Sequence, residues 1–369
     1  MQIGRLHPGR AEETLRIVSV SKTTVSSDAL LNFCVSCFLK LGVAADHAVI
    51  TAENLIFANL RGVDSHGVIR LKIYTERLEA GGFKADARRE IVSEGEGFAL
   101  MDAGHGIGQV AGMEAMKLAI VKADKAGLAM VGVKNSNHFG AAGFYALRAV
   151  ERGMIGMAAT NAGPTMAPTG GREGRLGNNP ISIAIPAGKY PPIVLDMATG
   201  AVAWGKIFVA QQEKKKIPAT WALDRNGLPT DDPDAAAGGG LIQPFGGYKG
   251  YGLSLLIDIL TGVLTGGGFS THVKTLYQNL QSPSHVAHTF AALRIEGFMP
   301  LGEFRRRMDE MIELMQHCPA APGVDRIYVP GEIEHETEQK RRAGGIPINP
   351  TLKEELSALG AKLGVQPLF

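Results

Sequence analysis

The sequence predicts an α/β protein of mixed α+β type, in which a helical domain built from both chain ends brackets a central α/β domain. Two observations support this fold class. Helical periodicity dominates from Ser26 to Ala87 and again beyond about Pro300. Between these stretches, short apolar runs alternate with glycine-rich loops and helices, and hairpin-like neighbouring runs favour a mixed sheet.

The length of 369 residues exceeds what one small core accommodates, so more than one domain is expected. We predict a loose tail at residues 1–18 and a discontinuous helical domain at residues 19–92 plus 291–369. The central α/β domain is predicted at residues 93–290.

Three helices are predicted near the N-terminus. SSDALLNFCVSCFLKLG opens with Ser and Asp, which favour helix N-termini, and AADHAVITAENLIFANLRG follows with a similar period. A third helix is predicted to begin at Ser65, in SHGVIRLKIYTERLEAGG. Cys34 and Cys37 form a lone C-x-x-C in the first helix. A redox pair is one interpretation, but a buried helical face is favoured, and zinc lacks further ligands nearby.

The middle of the chain combines runs of strand length with helical segments. Strands are predicted for LAMVGV, MIGMAATN, ISIAIPAG and PPIVLDMA, and helices for GQVAGMEAMKLAIVKADKAG and FGAAGFYALRAVERG. PFGGYKGYGLSLLIDILTGVL predicts a loop running into a long buried helix. Beyond it, LGEFRRRMDEMIELMQ and NPTLKEELSALGAKLG predict helices on either side of a short strand-like IYVPGE.

Composition and charge exclude several classes of protein. The net charge is +2 and the longest basic run is Lys214–Lys216, so neither nucleic acid nor an anionic membrane is expected as a partner. The segment MQIGRLHPGRAEETLR lacks the apolar core of a signal peptide, and LSLLIDILTGVL is too short to span a bilayer. We therefore expect a cytoplasmic protein, and no metal site is predicted.

The usual nucleotide-binding fingerprints are missing. GHGIGQ, residues 104–109, has its third glycine one position too early for a Rossmann turn, and GAVAWGKI ends in Ile207 where a P-loop needs Ser or Thr. A nucleotide would have to be held by other loops. Backbone N–H groups in PFGGYKGYG can cradle a pyrophosphate, and Lys249 can add a charge. Asp196 follows an apolar run, so its carboxylate can accept hydrogen bonds from ribose hydroxyls.

Two histidine motifs are candidates for acid–base chemistry. If a helix begins at Ser65, His66 lies near its N-terminus, which lowers the imidazole pKa, and Arg70 lies one turn further on the same face. Arg70 can clamp a carboxylate while the imidazole exchanges a proton with a hydroxyl. His138, in NSNHFG, follows a predicted strand, where α/β proteins carry functional loops. For either motif alone, a helix cap or a turn residue is the commoner explanation.

Taken in order, these motifs resemble the type-2 malate/L-lactate dehydrogenase family, which includes L-sulfolactate and ureidoglycolate dehydrogenases, diketogulonate reductase and piperideine-2-carboxylate reductase. The resemblance rests on DSHGVIRLKIYTERLEAGG, NSNHFGAAGFYA, GNNPISIAIP, LDMAT, IPATWALDRNGLPTDDP, GGYKGYGL and VPGE, collinear over roughly residues 20–350. It implies a non-Rossmann, L-sulfolactate-dehydrogenase-like fold, a homodimer, and a central domain that binds NAD or NADP. It also implies hydride transfer between nicotinamide and 2-hydroxy or 2-keto acids.

The same resemblance implies roles for individual residues. Ser65, His66 and Arg70 match the family's Ser-His-Gly motif and substrate-clamping arginine, and His138 matches its second catalytic-site histidine. The positions that match cofactor-contacting segments are Asp196, Met197, Ala198, Gly246, Gly247, Lys249, Pro330, Gly331 and Glu332. The chain departs from the family's usual pattern at Gly200, where Ser is usual, and at Asn178, where Thr is usual.

The expected mechanism uses one neutral histidine to accept the substrate's hydroxyl proton while hydride leaves for nicotinamide. His138 is favoured as the proton carrier, with Ser65 and His66 orienting a small carboxylic acid that Arg70 holds. Two alternatives are kept: a reductase of cyclic imino acids, and a non-catalytic relative that binds small molecules. The particular acid, the direction of reaction and the choice between NAD and NADP are left open.

Overall fold

A seven-stranded sheet forms the centre of the protein, whose computed structural model describes residues 23–369. The tail predicted for residues 1–18 lies outside these residues. In spatial order the strands are β2 (Glu90–Glu94), β3 (Phe98–Asp102), β4 (Leu128–Ser136), β11 (Val286–Arg294), β5 (Met154–Thr160), β6 (Ile181–Ile185) and β7 (Ile193–Met197). Strands β3 and β4 are parallel and the other neighbours are antiparallel. The predicted mixed sheet is therefore confirmed.

Strand β11 lies in the middle of this sheet and was missing from the sequence prediction. It pairs with β4 on one side and with β5 on the other, and it is buried from Val286 to Ala292. His288 and Thr289 interrupt its apolar run, so the hydrophobic pattern of this segment does not predict a strand. Inside the sheet both polar side chains have partners, so the sequence tolerates them there.

Helices cover both faces of the sheet. On one face α4 (Gly108–Ala126) packs on β4 and β11, and α5 (Gly143–Val150) packs on β5 and β6. The opposite face carries α8 (Tyr248–Asp258) and a π-helical turn (Ile259–Val263), where the Thr289 hydroxyl donates to the Leu260 carbonyl. The helix predicted from LSLLIDILTGVL is present, but it is not fully buried. Six apolar side chains of this region are exposed: Tyr248, Leu255, Leu256, Ile259, Val263 and Leu264.

The two ends of the described chain meet in a helical layer. Strand β1 (Thr23–Val25) pairs antiparallel with β12 (Ile346–Ile348). The helices of the layer are α1 (Ser27–Lys40), α2 (Ala45–Leu60), α3 (Leu71–Ala80), α10 (Glu332–Gly344) and α11 (Pro350–Leu363). Helices α1, α3 and α11 share one apolar core. The predicted domain boundaries stay predictions; residues 92 and 290 lie within β2 and β11.

The C-x-x-C of α1 lies inside this core. Cys34 and Cys37 are both buried, and burial raises the pKa of the Cys37 thiol to about 12. The thiols are therefore protonated and pack as small apolar groups.

The remaining elements lie at the periphery. They are α6 (Trp204–Gln212), α7 (Pro233–Ala237), α9 (Leu301–Gln316) and a small sheet of β8 (Ala222–Leu223), β9 (Pro229–Thr230) and β10 (Leu241–Ile242). The strand-like IYVPGE forms no strand, although the Pro330 carbonyl accepts from Val194 N of β7. No helix within residues 23–369 has the length and hydropathy needed to cross a bilayer.

Candidate active site

A cavity of about 230 Å³ lies between the helical layer and one edge of the central sheet. At this edge β4, β5 and β7 end and β11 begins. Five parts of the chain contribute most of the walls: the end of α2 with His66, the loop at 138–142, the loop at 160–163, the end of β7, and the segment 274–286. Glu334 of α10 completes them. Functional groups from distant parts of the sequence therefore share one cavity.

Asn59 on α2 shapes the loop that carries His66. Its amide Nδ2 donates to Asp64 Oδ1 at 2.6 Å, and its Oδ1 accepts from Val68 N at 2.8 Å. Gly67 lies between these two contacts, and a Cβ there would come within 2.2 Å of Asn59 Oδ1. The glycine of the Ser-His-Gly motif is thus required by the close approach of the Asn59 side chain.

The helix predicted to begin at Ser65 does not begin there. Two 3₁₀ turns, Asp64–His66 and Val68–Arg70, precede α3, which starts at Leu71. Asn59 binds the Asp64 carboxylate before Gly67 and the Val68 N–H after it, and this geometry holds the chain out of an α-helix at that point. The proposed effect of a helix N-terminus on His66 is therefore wrong. Burial, and then the nearby Arg70 cation, lower the pKa of His66 to about 4.

Ser65 and Arg70 lie beside His66 but outside the cavity walls. Ser65 Oγ is 3.0 Å from His66 Nδ1, and Arg70 Nε donates to the Ser65 carbonyl at 2.7 Å. The Arg70 guanidinium lies 5.5 Å from the ring centre of Tyr277. Its terminal nitrogens make no hydrogen bond to the described residues, so they remain available for a ligand.

The polar residues of NSNHFG hold the loop that carries His138. Asn135 adopts a left-handed φ of 52°, and its side chain donates to Asp102 Oδ2 at 2.8 Å. The Asn137 amide donates to both carbonyls of residues 105–106 and accepts from Ser284 N at 3.1 Å. These contacts tie β4 to two neighbouring segments, so the position of His138 is determined by its flanking residues.

His138 is oriented by its Nδ1 atom. The Tyr74 hydroxyl lies 2.6 Å from Nδ1, and the Gly140 N–H donates to Nδ1 at 3.2 Å. Nε2 is therefore the ring nitrogen left for a ligand. The Gln109 side chain lies near the Tyr74 hydroxyl, and its buried Nε2 and Oε1 have no hydrogen-bond partner among the described residues. Tyr74 was not predicted as a site residue, although Tyr74 lies one helical turn after Arg70.

The two histidines meet in the cavity. Their rings stack with centroids 5.7 Å apart and planes inclined by 20°. Burial lowers the pKa of His138 well below its ordinary value, and the His66 and Arg70 charges lower it further. Burial also raises the pKa of Tyr74. At neutral pH both imidazoles are therefore neutral and the tyrosine is protonated.

His288 packs against Phe139, the residue after His138, and was not predicted from the sequence. Its ring stacks on Phe139 at 4.6 Å with planes only 4° apart. Its Nδ1 contacts Thr160 Oγ1 at 2.7 Å and its Nε2 contacts Ser136 Oγ at 2.8 Å, so it bridges β4 and β5. Burial lowers the pKa of His288 to about 3. Both ring nitrogens are occupied, which makes this a structural histidine.

Asp196 faces the cavity from the end of β7, together with Met197 and Ala198. Its Oδ2 accepts from Gly143 N, the first residue of α5, at 2.8 Å. The carboxylate is accessible from the cavity, but it is surrounded by many protein atoms. This burial raises the pKa of Asp196 to about 6, against the opposing effects of Gly143 N–H and Arg61. Asp196 Oδ1 has no hydrogen bond to the described residues and is accessible to a ligand.

The Gly246, Gly247 and Lys249 loop adjoins this segment without lining the cavity. Phe245 N donates to the Thr199 carbonyl at 3.0 Å, which brings the loop next to Asp196–Ala198. Gly246 and Gly247 both have positive φ, 58° and 65°, and no atom lies within 4 Å of a Cβ added to either. The Lys249 side chain is exposed.

The Pro-Gly-Glu segment lies behind the cavity wall. A Cβ on Gly331, where φ is 89°, would come within 2.8 Å of Val194 Cβ. Glu332 is buried and accepts from Gln316 Nε2 and Val329 N, and it pairs with Arg326. Its carboxylate is thus occupied within the protein. The acid that reaches the cavity from this segment is Glu334, which sequence reasoning did not identify.

Most of the chain is similar to known proteins in sequence and in structure. Residues 25–357 match the family model described as malate/L-lactate dehydrogenase. A malate dehydrogenase of Pyrococcus abyssi is 44% identical, covering 93% of this chain and 96% of the relative. A Δ1-pyrroline-2-carboxylate/Δ1-piperideine-2-carboxylate reductase of Pseudomonas putida is 31% identical, over 89% and 93% of the two chains. The solved structure of sulfolactate dehydrogenase from Methanocaldococcus jannaschii superposes with a TM-score of 0.88 at 39% identity, covering 93% of this chain and 98% of that one.

Proposed function

The chain belongs to the malate/L-lactate dehydrogenase family, and from this premise we propose that it transfers a hydride between NAD or NADP and a small 2-hydroxy or 2-keto acid. Membership makes it an oxidoreductase with the mixed α/β fold of the family. The observation that carries the proposal is the meeting of His66 and His138 in one cavity beside Arg70.

The cavity suits the ribose part of a nicotinamide dinucleotide. Asp196 has a carboxylate oxygen without a protein partner, and a carboxylate is the acceptor that ribose hydroxyls require. Small residues from two loops line the adjoining wall and let a flat ligand approach the backbone: Gly140, Ala141, Ala142, Ala162 and Gly163. We assign Asp196, Met197 and Ala198 to cofactor binding, with Gly246, Gly247, Lys249, Gly331 and Glu332 forming the loops around them. The cofactor, when bound, supplies the acceptor or donor of hydride.

His138 is proposed to hold and release the substrate's proton at Nε2. While Nδ1 accepts from the Gly140 N–H, the proton of the neutral ring is on Nε2, where reduction needs it. When Nδ1 instead carries the proton and donates it to the Tyr74 hydroxyl, Nε2 has the lone pair that oxidation needs. In oxidation His138 takes the hydroxyl proton, and in reduction it returns that proton to the developing oxyanion.

Arg70 is proposed to bind the substrate carboxylate with its two terminal nitrogens. The negative charge would offset the Arg70 cation, which lowers the pKa of both histidines. Substrate binding therefore raises the basicity of the histidine that must take the proton. Ser65 orients His66 through the 3.0 Å contact at Nδ1, and His66 lies on the cavity wall where it can hydrogen bond the reacting oxygen.

A reductase of cyclic imino acids is the second candidate, because one relative with 31% identity has that activity by its name. The same arginine and histidine would serve such a substrate. In that case the proton goes to nitrogen rather than oxygen, so turnover separates the two candidates.

The proposal is tested with purified protein, NAD or NADP, and a panel of 2-hydroxy, 2-keto and cyclic imino acids, by following NAD(P)H absorbance. We expect turnover of one or more 2-hydroxy acids. Turnover of imino acids alone would favour the second candidate. Cofactor binding without turnover of any of these acids would instead make the chain a non-catalytic binding protein.

We also propose that the protein forms a homodimer through the exposed apolar face of α8 and the adjoining π turn. Six exposed apolar side chains along one helix and its adjoining turn support this proposal, because clustered exposed apolar residues are typical of a protein interface. Leu256→Glu is expected to yield monomers in sedimentation velocity experiments. Val121→Glu, which alters an exposed apolar residue on α4, serves as the control. A native protein that sediments as a monomer would exclude this proposal.

A further inference from the structure

The cavity wall formed by the loop after β5 is tied to the buried face of α8 by two asparagines. Asn161 donates from Nδ2 to Asp258 Oδ1 at 3.0 Å. In the next residue, Ala162 N donates to Asn179 Oδ1 at 3.0 Å, and Asn179 Nδ2 donates to the Ser254 carbonyl at 3.0 Å. Ser254 and Asp258 are four residues apart, so they lie on one face of the helix. Both contacts therefore hold the same stretch of the wall against the same face of α8.

The Asn161 side chain fixes the place where this loop leaves the sheet. The residue is 1% exposed, and each polar atom of its side chain has a partner. Nδ2 also donates to the Gly268 carbonyl at 2.7 Å, and Oδ1 accepts from Ala287 N at 2.9 Å. The Asn161 backbone N–H donates to the Ala287 carbonyl at 3.2 Å. Asn161 thus binds both backbone polar groups of one residue in β11, and Asp258 holds its amide from the side of α8.

The Asp258 carboxylate supplies an acceptor to each of two neighbouring donors. Oδ1 faces Asn161 Nδ2, and Oδ2 accepts from Ser270 N at 2.9 Å. An amide in place of this carboxylate has only one oxygen, so its NH₂ group would face either the Asn161 donor or the Ser270 N–H. The contact between α8 and the wall therefore requires a carboxylate at position 258.

A buried carboxylate costs stability unless its charge is compensated. Asp258 is 4% exposed and forms no ion pair with the described residues. Burial raises the pKa of Asp258, and the hydrogen bonds from Ser270 and Asn161 oppose that rise. The helix also changes form directly after this residue, at the π turn Ile259–Val263, and such turns are frequent at functional sites. Both features indicate a role for Asp258 besides packing.

From these contacts we infer that Asp258 is a positioning residue for the cofactor, which acts through Asn161 on the cavity wall at residues 161–163. Ala162 and Gly163 in this wall are small, and a flat ligand can approach their backbone only if the loop is held in place. Asp258 does not itself line the cavity, so it should affect the affinity for the cofactor and not the chemical step. This inference rests on the proposed function.

The test compares the native protein with Asp258→Asn, the double variant Asn161→Asp/Asp258→Asn, and the control Thr261→Val. The Kd of NADH or NADPH is measured by fluorescence titration, together with the cofactor KM, kcat and the melting temperature. Thr261 is buried in the π turn, and its hydroxyl donates to the Ile257 carbonyl of the same helical segment. Its substitution therefore removes a buried hydrogen bond nearby without altering the contact between α8 and the wall.

We expect Asp258→Asn to raise the Kd and KM of the cofactor roughly tenfold or more, while kcat at saturating cofactor changes less than about threefold. The double variant exchanges donor and acceptor between the two positions and leaves Ser270 N an acceptor, so it should recover part of the lost affinity. Thr261→Val should lower the melting temperature and keep the native Kd.

A native Kd in Asp258→Asn would refute the inference and assign Asp258 to stability alone. Lost affinity that the double variant does not recover would refute the route through Asn161. If Asp258→Asn does not fold, amide hydrogen exchange of the native protein decides. Cofactor should then slow exchange at Ala162 and at Ser270, whose N–H is bonded to Asp258, and protection of Ala162 alone would refute the inference. A native protein that binds neither NADH nor NADPH would refute the proposed function, and the inference with it.

Discussion

His66 and His138 stack face to face at 5.7 Å, although His66 belongs to the helical layer and His138 to the loop after β4. Two imidazolium ions at this distance would repel each other in an enclosed cavity, so at most one ring of the pair becomes an imidazolium ion under ordinary conditions. The pair thus titrates as a unit, and substituting one ring changes the proton affinity of the other.

Replacing each histidine by asparagine distinguishes their roles. His138→Asn should lower kcat by roughly 10²- to 10⁴-fold, because Asn cannot take the substrate's proton. His66→Asn should raise KM more than it lowers kcat, since it removes an orienting hydrogen bond. Steady-state kinetics with the preferred acid measures both. Unchanged kcat in both variants would refute the proton-transfer mechanism.

Tyr74→Phe removes the hydroxyl that contacts His138 Nδ1 and keeps the ring in the core. We expect kcat to fall about tenfold with little change in KM, because Nδ1 loses the acceptor that leaves Nε2 unprotonated. The pH dependence of kcat should shift at the same time. A variant that only lowers the melting temperature, with an unaltered pH profile, would assign Tyr74 to stability alone.

Two substitutions separate the charge of Arg70 from its geometry. Arg70→Lys keeps the cation and should raise KM roughly tenfold or more, since a point charge cannot make the bidentate contact. Arg70→Gln removes the cation that lowers the pKa of His66, so the acidic limb of the kcat/KM profile should move to higher pH. If KM stays at the native value in Arg70→Lys, Arg70 is not the carboxylate clamp.

Cofactor affinity should depend on pH through Asp196. The carboxylate accepts hydrogen bonds from ribose only when ionised, and its pKa of about 6 means that it takes up a proton as pH falls through this value. Binding of NADH or NADPH, followed by fluorescence, should therefore weaken below about pH 6. Asp196→Asn should bind weakly and without this dependence, while still accepting from Gly143 N. Native binding that is constant between pH 5 and pH 8 would argue against a ribose contact.

His288 should make the fold sensitive to acid. Its pKa is about 3 in the folded protein and near 6.5 when unfolded, so between these values the unfolded chain binds more protons. The free energy of unfolding therefore falls as pH decreases from 6.5 toward 3. In His288→Gln this decline should be shallower by about 1 kcal/mol per pH unit. Urea denaturation at several pH values measures it, with the exposed His317→Gln as control; equal slopes in both variants would contradict the assignment.

Local pattern was sufficient for much of the fold. Helices α1, α2 and α11 have clear periods and end signals, and β4 and β5 are apolar runs bounded by turns. Strand β11 was missed because its polar residues are satisfied only by neighbouring strands. The false helix at Ser65 has the same origin, since Asn59, on another helix, determines the backbone at Gly67.

Some residues of the candidate site could likewise be predicted from local sequence, and others could not. His66, Arg70 and His138 stand in recognisable motifs, and Tyr74 could have been found because a residue four positions after Arg70 lies near it on a helix. Lys274 and Glu334 have no such signal. Their place on the cavity wall depends on Arg77 and on the packing of α10, which are contacts between distant segments.

The contact between Arg341 and Asp64 determines when the loop bearing His66 can form during synthesis. Arg341 Nη2 of α10 donates to Asp64 Oδ2 at 2.9 Å, and β12 pairs with β1, so the loop bearing His66 depends on the last helices of the chain. A nascent chain that has emerged as far as β11 already contains every strand of the central sheet and His138. Until α10 has emerged from the ribosome, it cannot reach Asp64. The cavity wall that carries His66 is therefore completed later in translation than the central sheet.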